Sequence, residues 1–257
     1  VLTSPRNPTI RHIRRLQRSA RHRRESGSFV AEGIRLVEEA VLSGLAPDTV
    51  LYTEDLGDRG EAVLDRIREK GVEATLVDAV VMAAAADTET PQGLLAVLPI
   101  PAGPLPPNPT FLLVLDGVRD PGNLGTILRT AAAAGVDAVL LAPGSADPYQ
   151  PKAVRAGMGA HFRLPVRSAE WSGIETQTAG MTVWLADAAA ETAYTAADLT
   201  IPLAFVIGGE AHGAGPEIVR LNPAGLRIPM PGGMESLNAA VAAGVLIFEV
   251  VRQRGRE

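Results

Sequence analysis

The chain has no cysteine among its 257 residues, so neither a disulfide framework nor a thiolate metal site is open to it. Its histidines, at 12, 22, 161 and 212, are too scattered for a zinc pattern, and no structural metal is expected. No uninterrupted apolar run approaches the ~18 residues of a membrane helix, and the basic N-terminus lacks the hydrophobic stretch of a signal peptide. A cytoplasmic protein with no membrane partner is the expectation. The G-x-G-x-x-G run of a dinucleotide-binding loop is missing, which disfavours a nucleotide-dependent oxidoreductase. No internal repeat is present. What the chain does have is 46% hydrophobic residues, enough for a sizeable core in one large or two ordinary domains.

Acid is missing from the first 24 residues, which hold eight arginines and two histidines. The net charge of -5 hides this asymmetry, because the rest of the chain carries 16 basic against 29 acidic groups. Each arginine set near a phosphate releases condensed counterions and adds salt-sensitive affinity. Arg6, Arg11, Arg14, Arg15, Arg18, Arg21, Arg23 and Arg24 therefore form a candidate phosphate-binding arm. The competing reading is a solvated, partly disordered terminus.

Six prolines within residues 99–110 exclude helix and sheet there and favour a stiff, extended linker. The expected division is a domain over 1–99, a linker over 100–109 and a second domain over 110–257. In the first domain SFVAEG, TVLYTE, VEATLV and GLLAVLP read as strands. GIRLVEEAVLSG places Ile34, Val37, Ala40 and Val41 on one helical stripe, and EAVLDRIREKG is a second helix that stops at glycine. In the second domain the apolar runs FLLVLD, AVLLA, MTVWLA, LAFVIG and LRIPM alternate with helical or Ala-rich segments, as in a parallel sheet covered on both faces. Ligands of such sheets collect beyond the carboxyl ends of the strands, so the loops after strands are the places to look.

Three of those loops set polar residues in apolar company. In DGVRDPGNLGTILRTAAAAG, Asn123 is the expected N-cap of a helix whose buried stripe is Leu124, Ile127, Leu128 and Ala131. Arg129 is turned about 140° away from Leu124. In LAFVIGGEAHGAG two glycines permit a close backbone approach before Glu210, while His212 has no identified acid partner and is given no role. In IPMPGGMESLNAA, prolines and glycines bar regular structure and leave backbone groups that must find partners. There Ser236 is the expected N-cap of the last helix, with Asn238 in its first turn. That helix is apolar nearly all round from Ala239 to Val251, which argues burial between the sheet and a second surface.

Together DPGNLGTILRTA, VIGGEAHG and IPMPGGMESLNAAVAAG resemble, in order and spacing, the three motifs of the SpoU-type (TrmH-like) RNA ribose methyltransferases of the SPOUT superfamily. FVAEGIRLVEEAV resembles the substrate-binding domain that often precedes the catalytic one. The resemblance implies 2′-O-methylation of a ribose in structured RNA by S-adenosylmethionine. It also implies an α/β SPOUT domain with a mostly parallel sheet and a trefoil knot, a smaller N-terminal α/β domain like ribosomal protein L30e, and a homodimer that completes the site. By the same resemblance Gly208, Ile228 and Leu237 contact the methyl donor mainly through backbone. Leu185, Ala186, Pro229 and Met230 belong to its pocket, Arg129 is the key catalytic residue, Asn123 positions it, and Glu210, Ser236 and Asn238 shape the RNA side. Lys152, Arg155 and Arg163 are further RNA contacts. Two positions depart from the family pattern: Gly157 stands where serine is usual, and Ala239 where a bulkier aliphatic residue is common. Ribosomal RNA, of the 23S type, is the expected substrate. The alternatives are transfer RNA and a non-catalytic RNA-binding protein of the same fold.

Overall fold

A computed structural model of the chain describes residues 2–209 and 213–255. Contacts divide it into two units, one of residues 1–102 with 149–163, the other of residues 103–148 with 164–257. The division near residue 102 falls inside the proline-rich stretch. Residues 149–163, expected in the second domain, belong by their contacts to the first unit.

The first unit runs α1 (Pro8–Arg18), α2 (Ala20–Ser26), β1 (Ser28–Glu32), α3 (Ile34–Leu42), β2 (Thr49–Tyr52), α4 (Gly57–Glu69), β3 (Ala74–Leu76), α5 (Ala79–Ala85) and β4 (Leu94–Pro99). Its sheet has the order β1-β4-β2-β3, with β4 antiparallel to both neighbours and β2 parallel to β3. Strand alternation sends Phe29, Ala31, Leu94, Ala96 and Leu98 to one face. There they pack with Val37 and Val41 of α3, Val63, Leu64 and Ile67 of α4, and Tyr149, Val154 and Phe162 from the returning segment, which contains α7 (Pro151–Gly157). Val30, Leu51, Leu95 and Val97 face the other way, toward Ile10, Ile13 and Leu16 of α1 and Val81 and Met82 of α5. With both faces covered, β4 is apolar throughout rather than alternating.

The basic arm is therefore a pair of packed helices. Asn7 caps α1 by accepting from the Thr9 N–H at 2.8 Å, and Pro8 begins the helix, where its missing N–H costs nothing. Ile10, Ile13 and Leu16 are fully buried, each worth about 1.5–3 kcal/mol over exposure. This sparse stripe was obscured by the arginines around it. One arginine departs from the expectation of a phosphate contact: Arg23 is 4% exposed, and its guanidinium donates to the carbonyl of Leu16 and, at 3.1 Å, to that of Gln17. It closes the last turn of α1, where carbonyls lack helical partners.

The second unit contains β5 (Phe111–Asp116), α6 (Pro121–Ala133), β6 (Ala138–Leu141), β7 (Val166–Ser168), α8 (Trp171–Thr178), β8 (Thr182–Ala186), β9 (Leu203–Gly208), β10 (Ala224–Leu226) and α9 (Ala239–Gln253). Its sheet has six strands, all parallel, in the order β10-β8-β9-β5-β6-β7. Leu112, Val114, Ala138, Leu140, Val183, Ala204 and Val206 form a core on one face with Ile174 of α8. Residues of the opposite parity, among them Leu113, Phe205 and Ile207, are buried too, which is why these strands read as unbroken apolar runs. Helices α6 and α9 pack on each other.

Two strands differ from expectation. LRIPM contributes only its first residue to β10, since the chain leaves the sheet before Pro229, which has no N–H to give a ladder. The short β7, with Arg167 and Ser168 among its three residues, carried no apolar run to mark it.

Candidate functional site

The strand order brings the carboxyl ends of β8, β9 and β10 side by side, next to the point where successive strands change direction across the sheet. A cavity of about 290 Å³ opens there. Ala186, Asp187 and Ala188 follow β8 into its wall. Ile207 and Gly208 end β9, Gly209 and Gly213 come from the turn after it, Leu226 ends β10, and Ile228, Met230, Ser236 and Leu237 come from the segment between β10 and α9. Ala239 and Ala242 of α9 complete it.

Half of the lining residues are glycine or alanine, and at the β9 turn the reason is steric. A Cβ on Gly208 would sit 2.3 Å from the Ala214 nitrogen, and one on Gly209 2.3 Å from the Gly117 carbonyl oxygen. Chain segments cross here too closely for anything larger than hydrogen. The crossing is tied by Asp116 at the end of β5, 7% exposed, whose carboxylate accepts from the Gly215 N–H at 2.6 Å. Ile228 and Leu237 line the cavity, and among the described residues their N–H groups have no hydrogen-bond acceptor.

Beside the cavity, α6 and α9 begin close together. Asp120, not Asn123, is the N-cap of α6, its side chain accepting from the Asn123 N–H at 2.8 Å. Asn238, not Ser236, is the N-cap of α9, its Oδ1 accepting from Ala240 N at 2.9 Å and Val241 N at 3.3 Å. Both helices start a few residues away from where the motif spacing put them, because in each case a nearer Asx side chain takes the capping geometry. The shift has a consequence: Asn238 Nδ2 is left free to donate to Asn123 Oδ1 at 3.0 Å, joining the two helix starts. Ser236 instead lies two residues ahead of the cap, on the cavity wall.

The structure thus gathers Ala186, Gly208, Ile228, Met230, Leu237 and Ser236 around one cavity and links Asn123 to Asn238. Leu185 is absent from that wall and packs against the sheet core; Pro229 is absent from it as well. Arg129 is exposed on α6 and does not line the cavity; among the described residues it has no ion-pair partner. Glu210 and His212 lie outside the described residues. Arg155 and Arg163, expected as phosphate contacts, meet carboxylates within the first unit, Asp87 and Glu39, each at 2.7 Å. Lys152 sits on α7 of that unit. Asp116 and Asp187 were missed, though both end apolar strands, a legible signal in FLLVLD and TVWLAD. Among the described residues no group of three or more side chains could hold a metal, and no helix is long and apolar enough to cross a membrane.

A parallel sheet with a largely apolar cavity at its carboxyl edge, beside the Asn-linked starts of two helices, defines a small-ligand site of the nucleotide-binding kind. Residues 110–248 match the SpoU rRNA Methylase family and residues 7–96 match the MRM3-like substrate binding domain, so the chain belongs to the SpoU rRNA methylase family. It is 31% identical, over 97% of its length and 98% of the relative, to the 23S rRNA (guanosine(2553)-2′-O)-methyltransferase RlmP of Bacillus subtilis. Among solved structures it superposes on an AdoMet-bound rRNA methyltransferase from Sinorhizobium meliloti with a TM-score of 0.86 and 34% identity, covering 98% of this chain and 97% of that one. The SpoU methyltransferase AviRb from Streptomyces viridochromogenes, in complex with AdoMet, gives a TM-score of 0.88 at 28% identity, covering 98% and 99%.

Proposed function

We propose that this protein is an S-adenosylmethionine-dependent methyltransferase that modifies a ribose 2′-oxygen of ribosomal RNA, with 23S RNA as the substrate. The observation that carries this reading is the cavity at the ends of β8, β9 and β10, in a chain of this family. At about 290 Å³ it stands near the lower end of small-ligand pockets. Largely apolar walls, with unbonded N–H groups at Ile228 and Leu237 among the lining residues, suit a nucleoside, whose flat base needs apolar faces and main-chain partners at its edge. When bound, S-adenosylmethionine would supply a methyl carbon made electrophilic by its sulfonium, which the ribose 2′-oxygen would take as sulfur kept the electron pair of the C–S bond and the hydroxyl gave up its proton.

The chain's own part is alignment, which supplies about 7–11 kcal/mol of barrier in well-oriented reactions. Gly208, Ile228, Met230 and Leu237 hold the donor, with Ala186 against it. Arg129 acts with an RNA phosphate to orient the hydroxyl and to stabilise the charge developing on its oxygen. As a guanidinium it keeps its proton, so it is no general base. Asn123, Ser236, Asn238 and Glu210 shape the ribose side. Because Arg129 does not line the cavity of its own chain, we place it across a homodimer interface. The exposed apolar side chains Val241 and Phe248, two turns apart on α9 at 52% and 50% exposure, support that pairing. A knotted C-terminal segment belongs to the same reading. A ribosomal substrate fits a cytoplasmic location.

The test is transfer of labelled methyl from S-adenosylmethionine to ribosomal and transfer RNA, followed by mapping of the modified ribose. Label at a 2′-oxygen of 23S RNA is expected. Label on transfer RNA alone would move the substrate, and none on either would leave a non-catalytic RNA-binding protein.

A further inference from the structure

The arginines of α1 are ordered as well as numerous. At about 100° per residue, Arg11, Arg14, Arg15 and Arg18 fall in a sector about 100° wide, its centre about 150° around the helix from that of the buried stripe of Ile10, Ile13 and Leu16. They advance about 10 Å along the helix. The ridge is fixed in place: the stripe is packed into the sheet, and Gln17 Nε2 donates to the Ala85 carbonyl at 2.8 Å. The helix contains no acid, and among the described residues none of these four arginines is in an ion pair. Elsewhere in the same unit Arg59, Arg66, Arg68, Arg155 and Arg163 each face a carboxylate. Like charges three and four residues apart on a helix repel one another, so this array suits a polyanion and little else.

Among the described residues the unit also has no exposed phenylalanine, tyrosine or tryptophan ring for an unpaired base to stack on. Single-stranded RNA is recognised largely by stacking its bases on exposed aromatic rings. Here Phe29, Tyr149 and Phe162 are buried together, with ring centroids 5.0 and 6.2 Å from Phe29, and Tyr52 is covered by the Arg68 guanidinium at 5.7 Å. Those are all the phenylalanines and tyrosines of the unit. We propose that the exposed face of α1 docks the phosphate backbone of a base-paired RNA stem, by shape and charge, without reading its bases. This rests on the RNA substrate of the proposed function and names the part of that substrate which the first unit grips.

The test uses the full chain and fluorescence anisotropy with three RNAs: a paired stem of about 16 base pairs, a stem of scrambled sequence with pairing kept, and one strand alone. The two stems are expected to bind equally and the single strand at least about tenfold more weakly. Arg11→Gln with Arg15→Gln should lower the slope of log affinity against log salt by just under 2, so that a fourfold rise in salt costs this variant about tenfold less than the wild type. Arg11→Lys with Arg15→Lys, which keeps the charges, should keep the slope. Equal binding of the single strand, loss of binding on scrambling, or an unchanged slope in the Gln variant would overturn the proposal. Methyl transfer by the wild type is measured alongside. Transfer with an unchanged slope leaves the enzyme standing without the ridge, whereas salt-sensitive stem binding without transfer does the reverse.

Discussion

Asn238 does two jobs with one amide, and they can be separated. Its Oδ1 caps α9 through Ala240 N and Val241 N, while its Nδ2 reaches Asn123 Oδ1 at 3.0 Å. Asn238→Ala removes a cap worth about 0.5–2 kcal/mol. It also removes a side-chain hydrogen bond worth about 0.5–1.5 kcal/mol, toward the lower end because the pair is exposed. A loss of about 1–2.5 kcal/mol should lower the melting temperature by about 3–8 °C. Asn238→Asp keeps the capping oxygen and adds a charge favourable at a helix start, but it sets oxygen against oxygen at Asn123. It should therefore melt within about 2 °C of wild type while transferring methyl groups poorly. The assays are thermal denaturation and single-turnover methyl transfer, with Asn123→Ala completing a double-mutant cycle whose coupling should be about 0.5–1.5 kcal/mol. Wild-type melting of Asn238→Ala would refute the capping account. Wild-type turnover of Asn238→Asp would refute any role for the amide link.

Three further outcomes follow from the geometry. Arg129→Lys should leave S-adenosylmethionine affinity intact by calorimetric titration and lose most turnover, because an ammonium cannot reproduce the guanidinium's planar fork; an unchanged kcat would remove Arg129 from the mechanism. Gly208→Ala drives a methyl to within 2.3 Å of the Ala214 nitrogen and should cost about 1–3 kcal/mol of stability and at least tenfold in donor affinity; wild-type affinity would show that this crossing does not shape the cavity. Burial pushes the His12 imidazole below its ordinary value, with His22 and Arg15 adding to the effect. The unfolded chain then binds this proton first, so the stability from neutral His12 is full above the ordinary imidazole value and is lost as pH falls through the lower folded one. Hydrogen bonds from Arg252 hold Glu249 below the glutamate range, against burial and with help from Gln253, so its contribution is lost at still lower pH. Melting curves at falling pH should show both losses, and His12→Gln should abolish the first; a variant that still shows it would clear His12.

Most strands of both sheets were readable because buried parallel and doubly covered strands are unbroken apolar runs, as in FLLVLD, LAFVIG and GLLAVLP, whereas the short, half-polar β7 was not. The site loops were readable because prolines, glycines and isolated polar residues stand out against such runs. Helix starts were less legible. Asp120, Asn123, Ser236 and Asn238 are all competent caps, and the choice among them depends on where the chain leaves the preceding segment, which no local pattern encodes.

Composition and spacing alone determined that this is a cysteine-free α/β protein with a basic N-terminal segment and three polar-marked turns after apolar strands, since hydrophobic period and turn chemistry are local properties. Only the tertiary structure decided that the basic segment is a helix pinned by three apolar residues, that Arg23, Arg155 and Arg163 are spent on carbonyls and carboxylates, and that residues 149–163 join the first unit. It alone, too, brought Gly208, Ile228 and Leu237 to one cavity and Asn123 to Asn238, 115 positions apart. Partner choice between residues so far apart is set by strand order and by the steric limits of a backbone crossing, and both exist only once the chain has folded.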